Sequence, residues 1–582
     1  MIKKLFRQML LTQIVSAMTV TLCMLIDSIM IGRFLGVNAM TAYGLSTPVL
    51  LVFAALGSMI SAGVQVMCGK TMGCGDKKGT EACFTVSVVF AIVISVVGVS
   101  LVMLFTDQIC VLLGAAKPNL DKEVFDLTRD YLKGFIIGAP AFMSAQMMVP
   151  YMQMSGSRTR LVVAVGAMIV ADVFGDLMNV FVIKWSTLGM GLASSLSYYV
   201  AFIIGVIYFF KKDCIFKFRI SLVKMSVCIR LVRDGVPTLV NQVSLVLLTY
   251  VLNKMLLSVG GKLAVAAYSV ISTAGNICYS FSSGIAAVAL TLSAILYTDG
   301  DRNALKQLVK TMNFYSVVIC GIVTAVIIAA AKPIVWLFLT NKSALGIAVT
   351  GMRLFVLSLV PCSMNTCFKN FYQGTDKTPF TMTISVMQNF LLTCLSAYIL
   401  SRFMGINGIW LGFLCGESLT LIIISMVVLV KNKKAAFTSE NFSLLEKDFG
   451  VNENDCIELS ITDPSQVVVV SQKASDFCNE HGLTTRLSSL IALCIEEMTT
   501  NIVEHGFRGR KEHTVEVRVI VQGESALLRI RDNCENFDPV KYLDMHKDDD
   551  PIAHIGIRMV MKLVKEANYV NSLGLNNLTL TI

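Results

Sequence analysis

Histidine is missing from the chain until His481, and all five lie from there on. Proton chemistry upstream of that point cannot use imidazole and has to use carboxylates. Charge is scarce as well, at 15% Asp, Glu, Lys and Arg, against about 25% in ordinary soluble proteins. That excludes a water-soluble fold for most of the chain. Seventeen cysteines occur without one Cys-x-x-Cys pair, so buried free thiols are expected rather than disulfides or zinc sites. The polar C-terminal part, which includes Cys456, Cys478, Cys494 and Cys534, has no Gly-x-x-x-x-Gly-Lys-Ser/Thr loop. It is therefore not the motor of an ATP-driven pump.

What the chain has in abundance is apolar sequence, with a mean hydropathy of +0.69. Twelve spans of membrane-crossing length stand near 9–32, 46–69, 82–105, 132–154, 161–184, 188–210, 236–258, 268–297, 313–338, 350–371, 381–402 and 406–430. The character breaks near Lys431. Divided at Glu440, the net +10 resolves into +19 before and −9 after, a basic membrane part and an acidic soluble one. Basic residues favour the cytoplasmic side. Lys3, Lys4 and Arg7, Lys70, Lys77 and Lys78, the Lys211–Arg233 cluster and Lys431 to Lys434 all fall on one face of this layout. The expectation is a multi-pass protein of a bacterial plasma membrane with both termini cytoplasmic, its first helix retained rather than cleaved. Trp185, Trp336 and Trp410 all fall at outer helix ends, as an interfacial aromatic belt would place them. No nucleic-acid partner is expected.

The membrane part repeats itself at an offset of about 225. Gly36 to Tyr43 (GVNAMTAY) echoes Gly261 to Tyr268 (GKLAVAAY), and Gly75-Asp76-Lys77 echoes Gly300-Asp301-Arg302. Further on, QMSGSR from Gln153 echoes QGTDK from Gln373, and the glycines at 189 and 191 echo those at 405 and 408. An even number of spans precedes the second copy, so the halves share an orientation and relate by an axis along the membrane normal. Two six-helix bundles able to rock about a central cavity are transporter architecture. The domains read as 1–434 (repeats about 5–215 and 228–432), a linker at 435–456, and 457–582.

Acids inside the spans are functional candidates because burial in lipid is costly. They are Asp27 in the first span, Asp172 and Asp176 in the fifth, and Glu417 in the twelfth. Asp172 and Asp176 share a helical face, which Asn179 continues. Such carboxylates can carry a proton or lend oxygens to sodium. The alternative is that these groups only join helices through hydrogen bonds. Prolines such as Pro48, Pro140, Pro237 and Pro361 bend spans or act as hinges.

The run Asp27-Ser-Ile-Met-Ile-Gly32-Arg-Phe-Leu-Gly36, the segment Tyr43-Gly-Leu-Ser-Thr-Pro48 and the Gly75-Asp76 loop resemble the multidrug and toxic compound extrusion (MATE) family over roughly residues 5–432. The resemblance implies a V-shaped twelve-helix antiporter that exports organic, often cationic, compounds against H+ or Na+. It also implies an ion-coupling site at Asp27 with an Asn/Asp pair in the fifth helix. Asn179 sits where an Asp is often found, with Asp176 and Asp172 a turn or more earlier.

From about Ile457 the signals become those of a soluble α/β sandwich. Strands are expected at 457–462, 514–522, 526–531 and 578–582, and helices from Ser465, over Thr485 to His505, and over 555–567. Glu497, Asn501 and His505 fall on one helical face. Asn can ligate phosphate-bound Mg2+, and Glu can orient a nucleophile. With Asp532, Phe537-Asp538-Pro539, Gly556 and Arg558, this order resembles the histidine-kinase-like ATPase superfamily, in its anti-sigma-factor serine-kinase branch. By that resemblance Asp532 meets the adenine amino group, Asn501 binds Mg2+, Glu497 is the base, and Gly556 belongs to the second glycine box. The chain departs from the pattern at Cys534 and Asn536, which replace glycines, and at His554, which replaces the first glycine of Gly-x-Gly.

Three readings follow. One is an ion-coupled exporter of small organic compounds with a regulatory ATP-binding tail. The second is a membrane signalling protein whose serine/threonine-kinase tail acts on an anti-anti-sigma-like or other regulatory protein. The third is a lipid-linked saccharide flippase.

Overall fold

The computed structural model describes all residues except 1, 75, 114, 116–121, 157, 211–213, 339–341, 433–437, 447–448, 452–454, 508–512, 536, 546–554 and 573–574. Asn536 and His554 thus lie outside the described residues. The first half comprises α1 (Ile2–Met30), α2 (Gly36–Gly73), α3 (Lys77–Leu104), α4 (Thr106–Leu112), α5 (Lys122–Ile136), α6 (Ala139–Met154), α7 (Arg158–Met178) and α8 (Ser186–Phe209). The second comprises α9 (Met225–Thr298), α10 (Arg302–Phe338), α11 (Lys342–Val356), α12 (Leu359–Gly374), α13 (Thr378–Val386), α14 (Leu392–Met404) and α15 (Ile406–Asn432).

Ten described helices are long and apolar enough to cross a membrane. Two bent pairs, α5 with α6 at 46° and α11 with α12 at 45°, bring the number to twelve if each pair is one span. Counted so, the fourth and tenth spans are the bent ones, which hydropathy alone does not reveal. The bends fall at equivalent places in the two halves, as a duplicated frame requires.

Two further correspondences carry the repeat into backbone geometry. Gly36 has φ +87° and Gly261 has φ +62°, and each breaks a helical run at the same repeat position. Only glycine enters this region without a Cβ penalty. Asp76 then caps α3 by accepting from the Gly79 N–H, and Asp301 accepts from the Ala304 N–H. Short polar side chains at such positions satisfy the free amides of a helix start.

The halves meet along α2 and α9. A Cβ on Gly63 would lie 2.4 Å from the Leu231 carbonyl oxygen, and one on Gly235 would lie 2.3 Å from that of Met59. Small residues at both points let the backbones touch. Near this seam Lys70 of the first half pairs with Asp376 and, at 3.9 Å, with Asp234 of the second. Trp410 corrects the aromatic-belt expectation. It is fully buried inside the second half, stacked on Tyr268, whereas Trp185 and Trp336 are exposed.

Beyond α16 (Ser439–Ser443) lie β1 (Cys456–Ile461), α17 (Gln466–Glu480), α18 (Thr485–Gly506), β2 (Val515–Gln522), β3 (Ser525–Asp532), α19 (Pro539–Met545), α20 (Ile555–Leu563), β4 (Glu566–Ser572) and β5 (Leu575–Thr581). The strands form one antiparallel sheet in the order β1-β2-β3-β5-β4, with α17, α18 and α20 packed into its core. The helix expected to reach residue 567 stops at Leu563, and Glu566–Ser572 is a strand. Lys565, Glu566 and Ala567 favour helix, but pairing of Glu566 with Thr581 and of Tyr569 with Leu578 prevails.

Candidate functional site

Three polar centres stand out. In the first half, α1 brings Asp27 against Asp172 and Asp176 of α7, and all three are buried. Their carboxylates are within electrostatic reach of one another. Ser194 of α8 donates to Asp27 Oδ2 at 3.1 Å. By donor–acceptor geometry, none of the oxygens of Asp172 or Asp176 receives a hydrogen bond, and no cationic side chain pairs with any of the three among the described residues. Acids gathered without a cation are costly unless a proton or metal ion joins them. Asn179 stands otherwise. Its Nδ2 donates to the Ser186 carbonyl at 2.9 Å and its Oδ1 accepts from the Trp185 N–H at 3.0 Å. Its amide therefore holds the turn between α7 and α8. A π-turn, Asn179–Ile183, follows the two acids directly, a distortion frequent at functional sites.

The second half builds a different centre. Glu417 of α15 accepts from Asn365 Nδ2 at 2.8 Å and from Gln388 Nε2 at 3.4 Å. Gln388 and Asn389 stand in another π-turn, Met387–Leu391. Lys369 of α12 donates to Asn241 Oδ1, which Asn389 also reaches. Lys369 is not among the acids that mark the spans in the sequence. A lysine within the apolar stretch 350–371 was the available signal.

Between the halves lies a cavity of about 370 Å3. The first half supplies Phe142, Met148, Met152 and Met168 together with polar groups such as Gln13, Gln65 and Gln146. The second supplies Thr238, Asn241, Asn370 and Gln373 together with apolar groups such as Leu290. Lys369 is the one charged side chain among the described lining residues, and no carboxylate lines it. Tyr198 connects cavity and acids, since it lines the first and interacts electrostatically with Asp27 and Asp172.

The third centre is in the tail. Thr484 caps α18 by accepting from the Leu487 N–H at 3.4 Å, and the helix then presents its acids in two directions. Glu496 accepts from Ser471 Oγ of α17 at 2.5 Å. Glu497 faces α20, where a Cβ on Gly556 would lie 1.9 Å from its Oε2. Glu497 and Gly556 are thereby brought together. Asn501 donates to the Glu497 carbonyl at 2.6 Å, leaving its side-chain oxygen available as a ligand atom. His505 is exposed. Asp532, at the end of β3, is buried and accepts from the Cys534 N–H at 2.9 Å and Asn576 Nδ2 at 2.8 Å. Burial pushes its carboxyl above the usual range, and these donors oppose the shift. Cys534 stands 3.7 Å from His513 Nδ1 and packs over Gly506. This places a thiol where the resembling family has bare backbone.

The tail is docked. Arg518, Arg529 and Arg531 project from β2 and β3 onto the loop between α9 and α10. Arg531 Nη2 meets Asp299 at 2.7 Å, Arg529 Nη2 meets Asp301 at 3.2 Å, and Arg529 Nη1 also pairs with Asp299. Burial alone would raise the Asp301 carboxyl, but Arg529, Arg518 and the Ala304 N–H hold it below its ordinary value. Described residues leading into the tail are held too. Tyr372 donates to the Phe442 carbonyl at 2.8 Å, Lys377 to that of Leu444 at 2.6 Å, and Phe449 stacks on Tyr297.

Comparison with known proteins agrees with both parts. The MatE family model matches residues 13–178 and 237–399, and a histidine kinase-like ATPase domain model matches 461–582. Multidrug export protein MepA of Staphylococcus saprophyticus is 20% identical over 416 residues, covering 71% of this chain and 90% of its own. An outward-facing MATE family transporter of the MOP superfamily superposes with a TM-score of 0.68 at 18% identity, covering 72% of this chain and 94% of its own. A MOP superfamily transporter from Pyrococcus furiosus gives 0.68 at 18% identity, covering 75% and 97%. The chain belongs to the MatE family and carries a histidine kinase-like ATPase domain over residues 461–582.

Proposed function

We propose that this protein is an ion-coupled antiporter that exports small organic compounds across a bacterial plasma membrane, regulated by an ATP-binding tail on the cytoplasmic side. The transporter unit is residues 1–434, and residues 435–456 connect it to the domain 457–582. The observation that carries the reading is the group of Asp27, Asp172 and Asp176, buried together with no cationic partner among the described residues, beside a cavity that both halves line. A proton or sodium ion entering this group from outside would be released as the halves rock about α2 and α9. Multidrug export is what the name of the staphylococcal relatives states of them, and it supports the same reading here.

The tail would bind ATP with Asp532 toward the adenine, Asn501 on Mg2+ and Glu497 beside the phosphates next to Gly556. Its role is regulatory, because the acids in the first half provide the coupling. The test is a transport assay on the full chain in proteoliposomes, with sodium and proton gradients imposed separately. Efflux driven by one gradient and stopped by Asp27→Asn is the expected result. Efflux that needs ATP and ignores both gradients refutes it.

A further inference from the structure

Lys369 is 6% exposed and its ammonium faces the central cavity. A lysine cation carries three donors. Its described acceptor is a single neutral oxygen, Asn241 Oδ1, which Asn389 shares. Among the described residues no carboxylate lies within ion-pair distance of it. Glu417 stands within electrostatic reach, yet its oxygens are engaged by Asn365 and Gln388 rather than by Lys369. Buried charges are normally matched by a partner of opposite sign. Among the described residues no such partner stands on the side that opens to the cavity.

The rest of the lining is mixed. Both halves contribute amides and hydroxyls, Gln65 and Gln146 from the first and Asn370 and Gln373 from the second among them. Phe142 and the thioethers of Met148, Met152 and Met168 come from the first half. Thioethers adapt to varied apolar shapes.

We propose that the cavity takes amphipathic organic anions, with a carboxylate, sulfonate or phosphate on Lys369 and the apolar body against the first half. This rests on the transporter reading and names its substrate class. It also gives the two halves separate duties: coupling cations go to the acids of the first, and the organic anion goes to the lysine of the second. A cationic compound would meet a like charge and no carboxylate in the cavity wall.

The test uses the full chain in phosphatidylcholine nanodiscs with three dansyl-alkyl probes that differ only in ending as sulfonate, carboxylate or trimethylammonium. Both anions should bind about tenfold or more tightly than the ammonium, the scale of one charge-assisted hydrogen bond. K369R should retain that preference, K369Q should lose about tenfold for the anions alone, and K369E should reverse the order. Equal or tighter binding of the ammonium probe by the unsubstituted protein overturns the proposal, as does K369Q with undiminished anion affinity. Competition by added phosphatidylglycerol would assign the same anion site to a lipid headgroup, and its failure assigns the site to a free solute. Efflux of the probes under imposed gradients separates the two readings. Selective anion binding without gradient-driven efflux defeats the transporter and leaves the anion site. Gradient-driven efflux of the ammonium probe, untouched by K369Q, does the reverse.

Discussion

The two six-helix halves share a frame and differ in what they put into it. Both bend one span by about the same angle, both break a helical run at a left-handed glycine, and both start the next helix on an aspartate cap. At the polar centres the likeness ends. The first half gathers three acids with no base paired to them among the described residues. The second holds one acid among amides, with a lysine turned to the cavity. Backbone features that fix helix directions are common to the pair, whereas side chains that choose a ligand are not. On the proposed reading, a duplicated scaffold handles an ion in one bundle and an organic molecule in the other.

Several measurements would break or sharpen that contrast. The largest effect is expected from Asp27→Asn combined with Asp172→Asn and Asp176→Asn. Gradient-driven efflux should fall to the leak rate while the protein becomes more heat-resistant, because neutral amides remove a buried repulsion. Efflux retained in the triple variant would remove the coupling role from this group. Next comes Arg529→Glu, which places like charges together at a buried contact. Breaking such a pair costs about 3–5 kcal/mol, and the expected readout is faster proteolytic release of the tail from the intact chain.

The same docking has a defined pH dependence. The Asp301 carboxyl lies below its ordinary value in the docked state. Its contribution is therefore full above about pH 4 and is lost as pH falls through the lowered value. Tail release on acidification from neutral pH to 5 would contradict this. Smaller still is Glu417→Gln, which exchanges two accepted hydrogen bonds for imperfect ones. It should cost about 1–2 kcal/mol of stability and leave the choice between sodium and proton unchanged. A switch of coupling ion in that variant would erase the contrast between the halves. Gly556→Ala should act on the tail alone, weakening nucleotide binding by displacing Glu497, with efflux in the absence of ATP unaltered.

Much of this frame was legible in the chain. The repeat showed at Gly36 and Gly261 because only glycine serves there, and at Asp76 and Asp301 because a cap needs a short acceptor. Asp27, Asp172 and Asp176 were visible as acids in apolar sequence. Their meeting was less so, since it depends on how α1 packs against α7. Asn179 looked like a continuation of that acidic face, but its backbone bonds depend on the turn at Lys184 and Ser186, which spacing does not encode. Lys369 is visible as a lysine in an apolar stretch, but its place on the cavity depends on how α12 packs, which spacing does not encode. The strand Glu566–Ser572 escaped because local helix preference outweighed a pairing partner that comes later in the chain. Hydropathy could not show the docked tail either, as Arg518, Arg529 and Arg531 read as ordinary exposed strand positions.

The grip of the three arginines on Asp299 and Asp301 bears on how information passes along the chain. That loop belongs to the second half and joins α9, which forms the seam with the first. If rocking at the seam changes how well the loop fits the arginines, the equilibrium between outward and inward states and the affinity of the tail for its nucleotide become a single linked quantity. Linkage is symmetric. Whatever factor a nucleotide imposes on the population of transport states, a bound substrate must impose on nucleotide affinity, so the tail would serve as a gauge of load as much as a throttle on export.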